Sequence, residues 1–147
     1  MNYSDRGLRK DNMKNITIEA KTDNLHEVVS FVDEILEAND CPVKTQMQID
    51  IAVEEIFVNI ANYAYSPGSG SAEIEAGVSG EPPEFVISFA DRGTPYNPLK
   101  KADPDVTLSL EERPIGGLGI FMVKKSMDKV EYEYKDGQNI LTIHKTL

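Results

Sequence analysis

Apolar and polar residues follow two different periods in the first part of the chain. Residues 15–21 alternate, with Ile16 and Ile18 between polar neighbours, and this period of two predicts a half-buried strand. In residues 25–36 the apolar side chains recur every three or four positions, which predicts a helix with a core-facing stripe. The polar residues just before this helix are its candidate N-caps: Thr22, Asp23 and Asn24.

A second and longer helix is predicted over residues 44–64, because residues 66–71 after it are all Ser, Pro or Gly. Two strands follow over residues 72–79 and 84–91. The short connection between them, residues 80–83, contains two prolines and a glycine, so we expect the two strands to pair as a hairpin.

The last part of the chain begins with a proline-rich segment of little periodicity, residues 92–116. It is too long for an ordinary connection, so we interpret it as a functional loop that resembles a lid. A helix is predicted over residues 117–127. Strands are predicted over residues 130–134 and 140–143, with a turn at Asp136-Gly137 between them.

The predicted element order, β-α-α-β-β-loop-α-β-β, groups the strands into antiparallel pairs instead of strict βαβ units. This order favours an α+β fold, a two-layer sandwich with helices on one face of a mixed, mainly antiparallel sheet. We expect one domain over residues 15–147, preceded by a flexible N-terminal segment, residues 1–14.

The charge balance restricts the ligands that the protein can bind. The 147 residues include 25 Asp and Glu against 15 Lys and Arg, a formal net charge of −10. A broad nucleic-acid interface is therefore not expected, because neutralising phosphates requires a clustered cationic face. An anionic ligand would have to be bound locally by backbone N–H groups, a helix N-terminus or a metal ion.

Cysteine and histidine usage excludes several kinds of site. Cys41 is the only cysteine, so an internal disulfide framework or a multi-cysteine metal site is excluded. His26 and His144 lie far apart in sequence and give little support to a histidine metal site or a Ser-His-Asp triad. Because no stretch of 18 apolar residues occurs, we expect a cytoplasmic protein that does not bind membranes.

A polar stripe on the second helix is the first candidate site. At about 100° per residue, Asn59 lies about 40° to one side of Glu55 and Asn62 about 20° to the other, whereas Glu54 points about 100° away. The stripe borders the apolar face, as a carboxylate and amides lining a cleft would. An ordinary solvated helix face has the same pattern.

Two further clusters follow. Asp91 ends an apolar strand and leads into Gly93, which lacks a Cβ and would let a planar base approach, although Asp and Gly also suit a simple turn. Residues 114–119 place three glycines before a helix N-terminus that can receive phosphate. A hinge would use similar glycines, and the spacing matches neither a Walker loop nor the GxGxxG dinucleotide motif.

The order and separation of these three clusters resemble a known family. The sequence is similar to the GHKL ATP-binding superfamily, which has the fold of histidine kinases and gyrase, and within it to the anti-sigma regulatory factor serine/threonine-protein kinases. The resemblance extends over residues 16–145 and is most specific in residues 55–65, 91–98 and 113–123, the last continuing into residues 127–132. One departure is Tyr63, where many members of the kinase subfamily have histidine.

The resemblance implies roles for individual residues. It implies that Glu55 is the general base, that Asn59 holds Mg²⁺, and that Asp91 accepts a hydrogen bond from the adenine amino group. It implies that Gly93 lets the ring approach and that Gly117 and Gly119 surround the phosphates. The remaining residues that the resemblance assigns to ATP binding are Asn62, Pro95, Arg113, Gly116, Leu118 and Thr142.

The implied function is an ATP- and Mg²⁺-dependent protein serine kinase that binds a sigma factor. It would switch to an anti-anti-sigma partner of the STAS type, which it phosphorylates, and it would form a homodimer. Two alternatives remain open. One is a nucleotide-gated binding module that sequesters its partner without significant phosphoryl transfer. The other is an interaction domain that binds no nucleotide and in which the glycines are structural.

Overall fold

The computed structural model describes residues 13–100 and 117–147. Five strands and three α-helices form its regular structure. The strands are β1 (Met13–Glu19), β2 (Ser71–Ser79), β3 (Glu84–Asp91), β4 (Lys129–Lys135) and β5 (Gln138–Thr146). The helices are α1 (Leu25–Ala38), α2 (Val43–Asn59) and α3 (Gly117–Ser126), and a π-helical segment, Ile60–Ala64, continues α2.

The sheet has the order β1-β2-β3-β5-β4, and all four neighbouring pairs are antiparallel. The predicted two-layer α+β fold is confirmed, but the expectation of a mixed sheet was wrong for the strands described. Both predicted hairpins are present. The β4–β5 turn uses Asp136 and Gly137 with φ values of 55° and 78°, the left-handed conformation that such tight turns require.

One face of the sheet forms the core with the helices. Along β3, the inward-facing residues Phe85, Ile87 and Phe89 are at most 1% exposed. They pack with apolar side chains from all three helices in a single cluster. The two-residue period predicts this arrangement, because alternate side chains of a strand point to the same face.

The N-terminus of α1 differs from the prediction. Thr22–Asn24 form a 3₁₀ turn, and no side chain of the three candidates caps the helix. The side-chain amide of Asn24 instead donates to the carbonyl oxygen of Glu19 at 2.9 Å, which ties the helix start to the end of β1. β1 begins at Met13, two residues before the predicted boundary.

Over residues 13–100 and 117–147, no helix combines the length and the apolar character needed to span a bilayer.

Candidate functional site

A cavity of about 680 Å³ lies between the end of α2, the inward face of β3 and β5, and the segment after β3. This volume is within the usual range for small-molecule sites. Among the predicted site residues, Asn59, Asp91 and Pro95 line it. The other lining residues are Ile56, Ile60, Tyr63, Ala64, Phe89, Thr94, Tyr96, Pro98, Ile120, Tyr132, Asn139 and Leu141.

Asp91 supplies a buried carboxylate to the cavity, with 6% of its surface exposed. Its Oδ1 atom accepts two hydrogen bonds, from the Gly93 N–H at 2.9 Å and from Asn139 Nδ2 at 3.0 Å. Oδ2 has no hydrogen-bond partner among the described residues. Because Asp91 lines the cavity, Oδ2 is available to a donor on a ligand there.

Asn139 is a central residue of this site that the sequence analysis missed. Its side chain is 7% exposed, and Nδ2 also donates to the carbonyl oxygens of Thr94 at 3.1 Å and Gly93 at 3.4 Å. Oδ1 accepts from the Tyr96 N–H at 3.0 Å and from the Tyr132 hydroxyl. A single amide thus links β5 and β4 to the segment that covers the cavity.

The strand register explains why Asn139, and not Thr142, lies at the cavity. Asn139, Leu141 and Ile143 point inward, so Thr142 lies on the opposite face of the sheet. There its hydroxyl makes a 3.0 Å hydrogen bond with Ser88, and it does not line the cavity. The sequence did contain a signal for Asn139, because this polar residue is in phase with the apolar, buried positions of β5.

Gly93 is in direct contact with the protein's own backbone. A Cβ at this position would overlap the Ala64 carbonyl group, and the neighbouring Thr94 N–H donates to the same carbonyl oxygen at 2.9 Å. The glycine therefore lets the segment after β3 lie against the end of the π-helical segment. A role in admitting a ligand ring remains a prediction.

Tyr65, just after the π-helical segment, also connects this segment to the chain after β3. Its hydroxyl donates to the Ser71 carbonyl oxygen at 2.6 Å and accepts from the Arg92 N–H at 2.7 Å. A Cβ at Gly70 would overlap the Tyr65 ring. This side chain therefore joins the end of the long helix to the start of β2 and the end of β3, and the sequence analysis did not identify it.

The polar stripe of α2 is only partly as predicted. Asn59 is half-buried and lines the cavity, whereas Asn62 is exposed and lies outside its lining. The reason is that the helix changes from α to π after Asn59. An i→i+5 turn is wider than an α-turn, so the step of about 100° per residue no longer applies to Asn62.

Glu55 belongs to α2, and its side chain lies against the first turn of α3. It is half-buried and is not among the cavity-lining residues, but a Cβ at Gly119 would overlap its carboxylate. Burial, and next the charge of Glu54, raise the pKa of the Glu55 carboxyl. A carboxylate with a raised pKa is a stronger base than one in free solution.

The first turn of α3 is the N-terminus of a helix, where backbone N–H groups have no intrahelical partner. The helix begins at Gly117, as predicted, includes Leu118, and brings Ile120 into the lining of the cavity. Arg113 and Gly116 lie outside the described residues.

Comparison with known proteins places this geometry in a family. Residues 18–145 match the sequence profile described as the histidine kinase-like ATPase domain. The serine/threonine-protein kinase BtrW of Bordetella bronchiseptica is 25% identical over 128 residues, which is 87% of each chain. The serine-protein kinase RsbW of Bacillus mycoides is 30% identical over 95 residues, 62% of this chain, and the alignment spans 58% of that relative.

A solved structure has the same fold. The crystal structure of the RsbU and RsbW domains of a Mycobacterium tuberculosis protein superposes with a TM-score of 0.66 at 17% identity. The superposition covers 92% of this chain and 32% of that one. Because the matching profile extends over most of the sequence, and because fold and motif spacing agree with it, this protein belongs to the family of histidine kinase-like ATPase domains.

Proposed function

We propose that this protein is an ATP-dependent protein serine/threonine kinase that acts as an anti-sigma regulatory factor and phosphorylates an anti-anti-sigma partner of the STAS type. The observation that carries the proposal is the position of Glu55, a carboxylate of raised pKa against the first turn of α3 and one helical turn from Asn59. The names of the relatives, serine and serine/threonine kinases, support it.

Base recognition is assigned to Asp91. Membership of the ATPase family implies that the domain binds ATP, and the free Oδ2 would accept a hydrogen bond from the adenine 6-amino group. Guanine has an oxygen at that position, and two acceptors would face each other. Adenine should therefore be preferred to guanine.

Phosphate binding is assigned to the start of α3 and to Asn59. Oriented N–H groups and the helix dipole favour an anion at the N-terminus of α3. In residues 13–100 and 117–147, no three His, Cys, Asp or Glu side chains are grouped to hold a metal ion. The Asn59 amide oxygen fits Mg²⁺, whose other ligands would be phosphate oxygens and water. When bound, the ion would supply positive charge that offsets the triphosphate in an acidic protein.

Transfer is assigned to Glu55. Its carboxylate would take the proton of the acceptor hydroxyl while that oxygen forms a bond to the γ-phosphorus and the bond to the ADP oxygen breaks. The chain's task is mainly to position the reactants, and a half-buried base on a helix provides a fixed position. The proposal also includes a homodimer, sigma-factor binding and a cytoplasmic location.

One observation favours the alternative of a nucleotide-gated module that does not transfer phosphate. Glu55 lies outside the lining of the cavity, against Gly119 of the neighbouring helix. A carboxylate held there would stabilise the fold around a nucleotide without reaching an acceptor hydroxyl.

Phosphoryl transfer distinguishes the two functions. The assay is transfer of label from γ-labelled ATP to the STAS-type protein that co-purifies with this chain, with acid and base treatment to separate stable phosphoserine from labile phosphohistidine. Glu55→Gln should lower transfer about 10²- to 10⁴-fold and retain ATP binding. Glu54→Gln is the matched control, because Glu54 is exposed and points away from Asn59.

Glu54 should affect only the pH dependence. Removing its charge lowers the pKa of Glu55, so the acid limb of the rate profile should move to lower pH while the plateau rate stays the same. Full transfer by the Glu55→Gln variant would remove the proposed base. A partner that is never labelled, yet binds more tightly with ATP, would overturn the kinase and favour the binding module.

A further inference from the structure

We propose that Asn139 is the positioning residue that determines which purine the cavity accepts. It would do so by orienting the Asp91 carboxylate and the segment over the base, without contacting the reacting phosphates. The inference rests on the proposed binding of ATP and adds a residue on which its base specificity depends.

The first step of the argument concerns the two oxygens of Asp91. A carboxylate has equivalent oxygens and rotates about its last side-chain bond unless hydrogen bonds hold it. Here the Gly93 N–H and Asn139 Nδ2 both donate to Oδ1, at 2.9 and 3.0 Å. Two donors on one oxygen direct the other oxygen toward the cavity. Without Asn139, only the Gly93 bond would restrain the carboxylate.

The second step concerns the orientation of the Asn139 amide itself. Its Nδ2 faces three acceptors, Asp91 Oδ1 and the carbonyl oxygens of Gly93 and Thr94. Its Oδ1 faces two donors, the Tyr96 N–H and the Tyr132 hydroxyl. Rotating the amide by 180° would place its oxygen against three acceptors and its NH₂ group against the Tyr96 N–H, so only one orientation satisfies this buried side chain.

The third step links the residue to specificity. Thr94 and Tyr96, which Asn139 holds through their backbone atoms, also line the cavity, as does Asp91. The acceptor for the base and the wall beside it therefore depend on one side chain. Loss of Asn139 should weaken the selection of one base over another more than it weakens the binding of the triphosphate.

The test compares three nucleotides at equilibrium: ATP, GTP and purine riboside triphosphate, which lacks the 6-amino group. Wild type should prefer ATP to the amine-free analogue by about 10- to 150-fold, the effect of a hydrogen bond to a charged group. Asn139→Ala should reduce this preference to about threefold or less while the affinity for the analogue changes little. Gln138→Ala, an amide on the same strand and the opposite face, is the matched control and should retain the preference.

A purely structural role would give a different result. The Asn139→Ala variant would then bind all three nucleotides more weakly by the same factor, and the unchanged ratio would overturn the inference. If that variant does not fold, Tyr132→Phe decides, since it removes only the hydroxyl that donates to Asn139 Oδ1. A reduced ATP preference in it supports the inference, and an unchanged preference overturns it.

The same measurements keep the two proposals apart. If wild type bound none of the three nucleotides, the proposed function would fail, and the inference with it. If wild type bound and discriminated while Asn139→Ala kept its preference, only the inference would fail.

Discussion

Replacing Asp91 with Asn exchanges one oxygen of the cavity for an NH₂ group and changes almost nothing else. Oδ1 of Asp91 already accepts the N–H of Gly93 and the amide of Asn139. The carbonyl oxygen of the new side chain should keep that place, because its NH₂ group would oppose both donors. The NH₂ group must then take the position of Oδ2 and face the cavity.

The magnitude follows from the hydrogen bond that is lost. A hydrogen bond to a charged group contributes about 1.5–3 kcal/mol, so ATP affinity should fall by roughly 10- to 150-fold in Asp91→Asn. Inosine triphosphate has an oxygen in place of the 6-amino group, and the variant should bind it better than wild type does. The two internal hydrogen bonds persist to a neutral acceptor, so the free energy of unfolding should decrease by only about 1 kcal/mol.

The assay is competition against a fluorescent ATP analogue, with ATP and inosine triphosphate titrated into both proteins, and urea unfolding for stability. The decisive quantity is the ratio of the two affinities, which should shift toward the 6-oxo nucleotide. If ATP and inosine triphosphate weakened by the same factor, or if ATP affinity changed by less than about threefold, Asp91 would not recognise the base. The reasoning about Oδ2 would then be refuted.

Three further predictions concern other parts of the molecule. Asn59→Ala should lower Mg²⁺-dependent ATP affinity but not metal-free affinity, and titrations with and without EDTA test this; equal losses would indicate a structural role. Gly93→Ala should lower the free energy of unfolding by about 1–3 kcal/mol in urea, because its Cβ would overlap backbone; an unchanged midpoint would contradict the described packing. Burial and the neighbouring Asp33 carboxyl raise the pKa of Asp50 to about 7, and no donor among the described residues reaches the buried Oδ1 of either residue. Because this folded-state pKa lies above the unfolded value of about 3.9, stability is lost as pH rises from about 4 to 7. Asp50→Asn should avoid that loss and be about 1 kcal/mol more stable at pH 8, a value reduced for partial exposure, with no difference below about pH 4. Asp40→Asn, the same substitution on an exposed side chain, is the control.

Local patterns in the sequence determined most of the elements of the fold and pointed to some of the residues that line the cavity. Periodicity and turn-forming residues together predicted the five strands and three α-helices of residues 13–100 and 117–147, since these patterns report which side chains face a common core and where the chain must turn. Asp91 and Asn59, two of the residues that the sequence singled out, line the cavity, because each position depends on a nearby strand end or on α-helical geometry that holds up to that residue.

Only the tertiary structure decided the features that depend on contacts between distant segments. Asn62 lies outside the cavity lining because the helix becomes π-helical after Asn59. Gly93 and Thr94 pack against the carbonyl of Ala64 at the end of this π-helical segment. Asn139 donates a hydrogen bond to Asp91, which is 48 residues away in sequence. The two residues are partners in the β3–β5 register, which no local pattern specifies. Periodicity shows which residues share a face, but which of them face each other depends on strand pairing and packing, and these exist only in the folded chain.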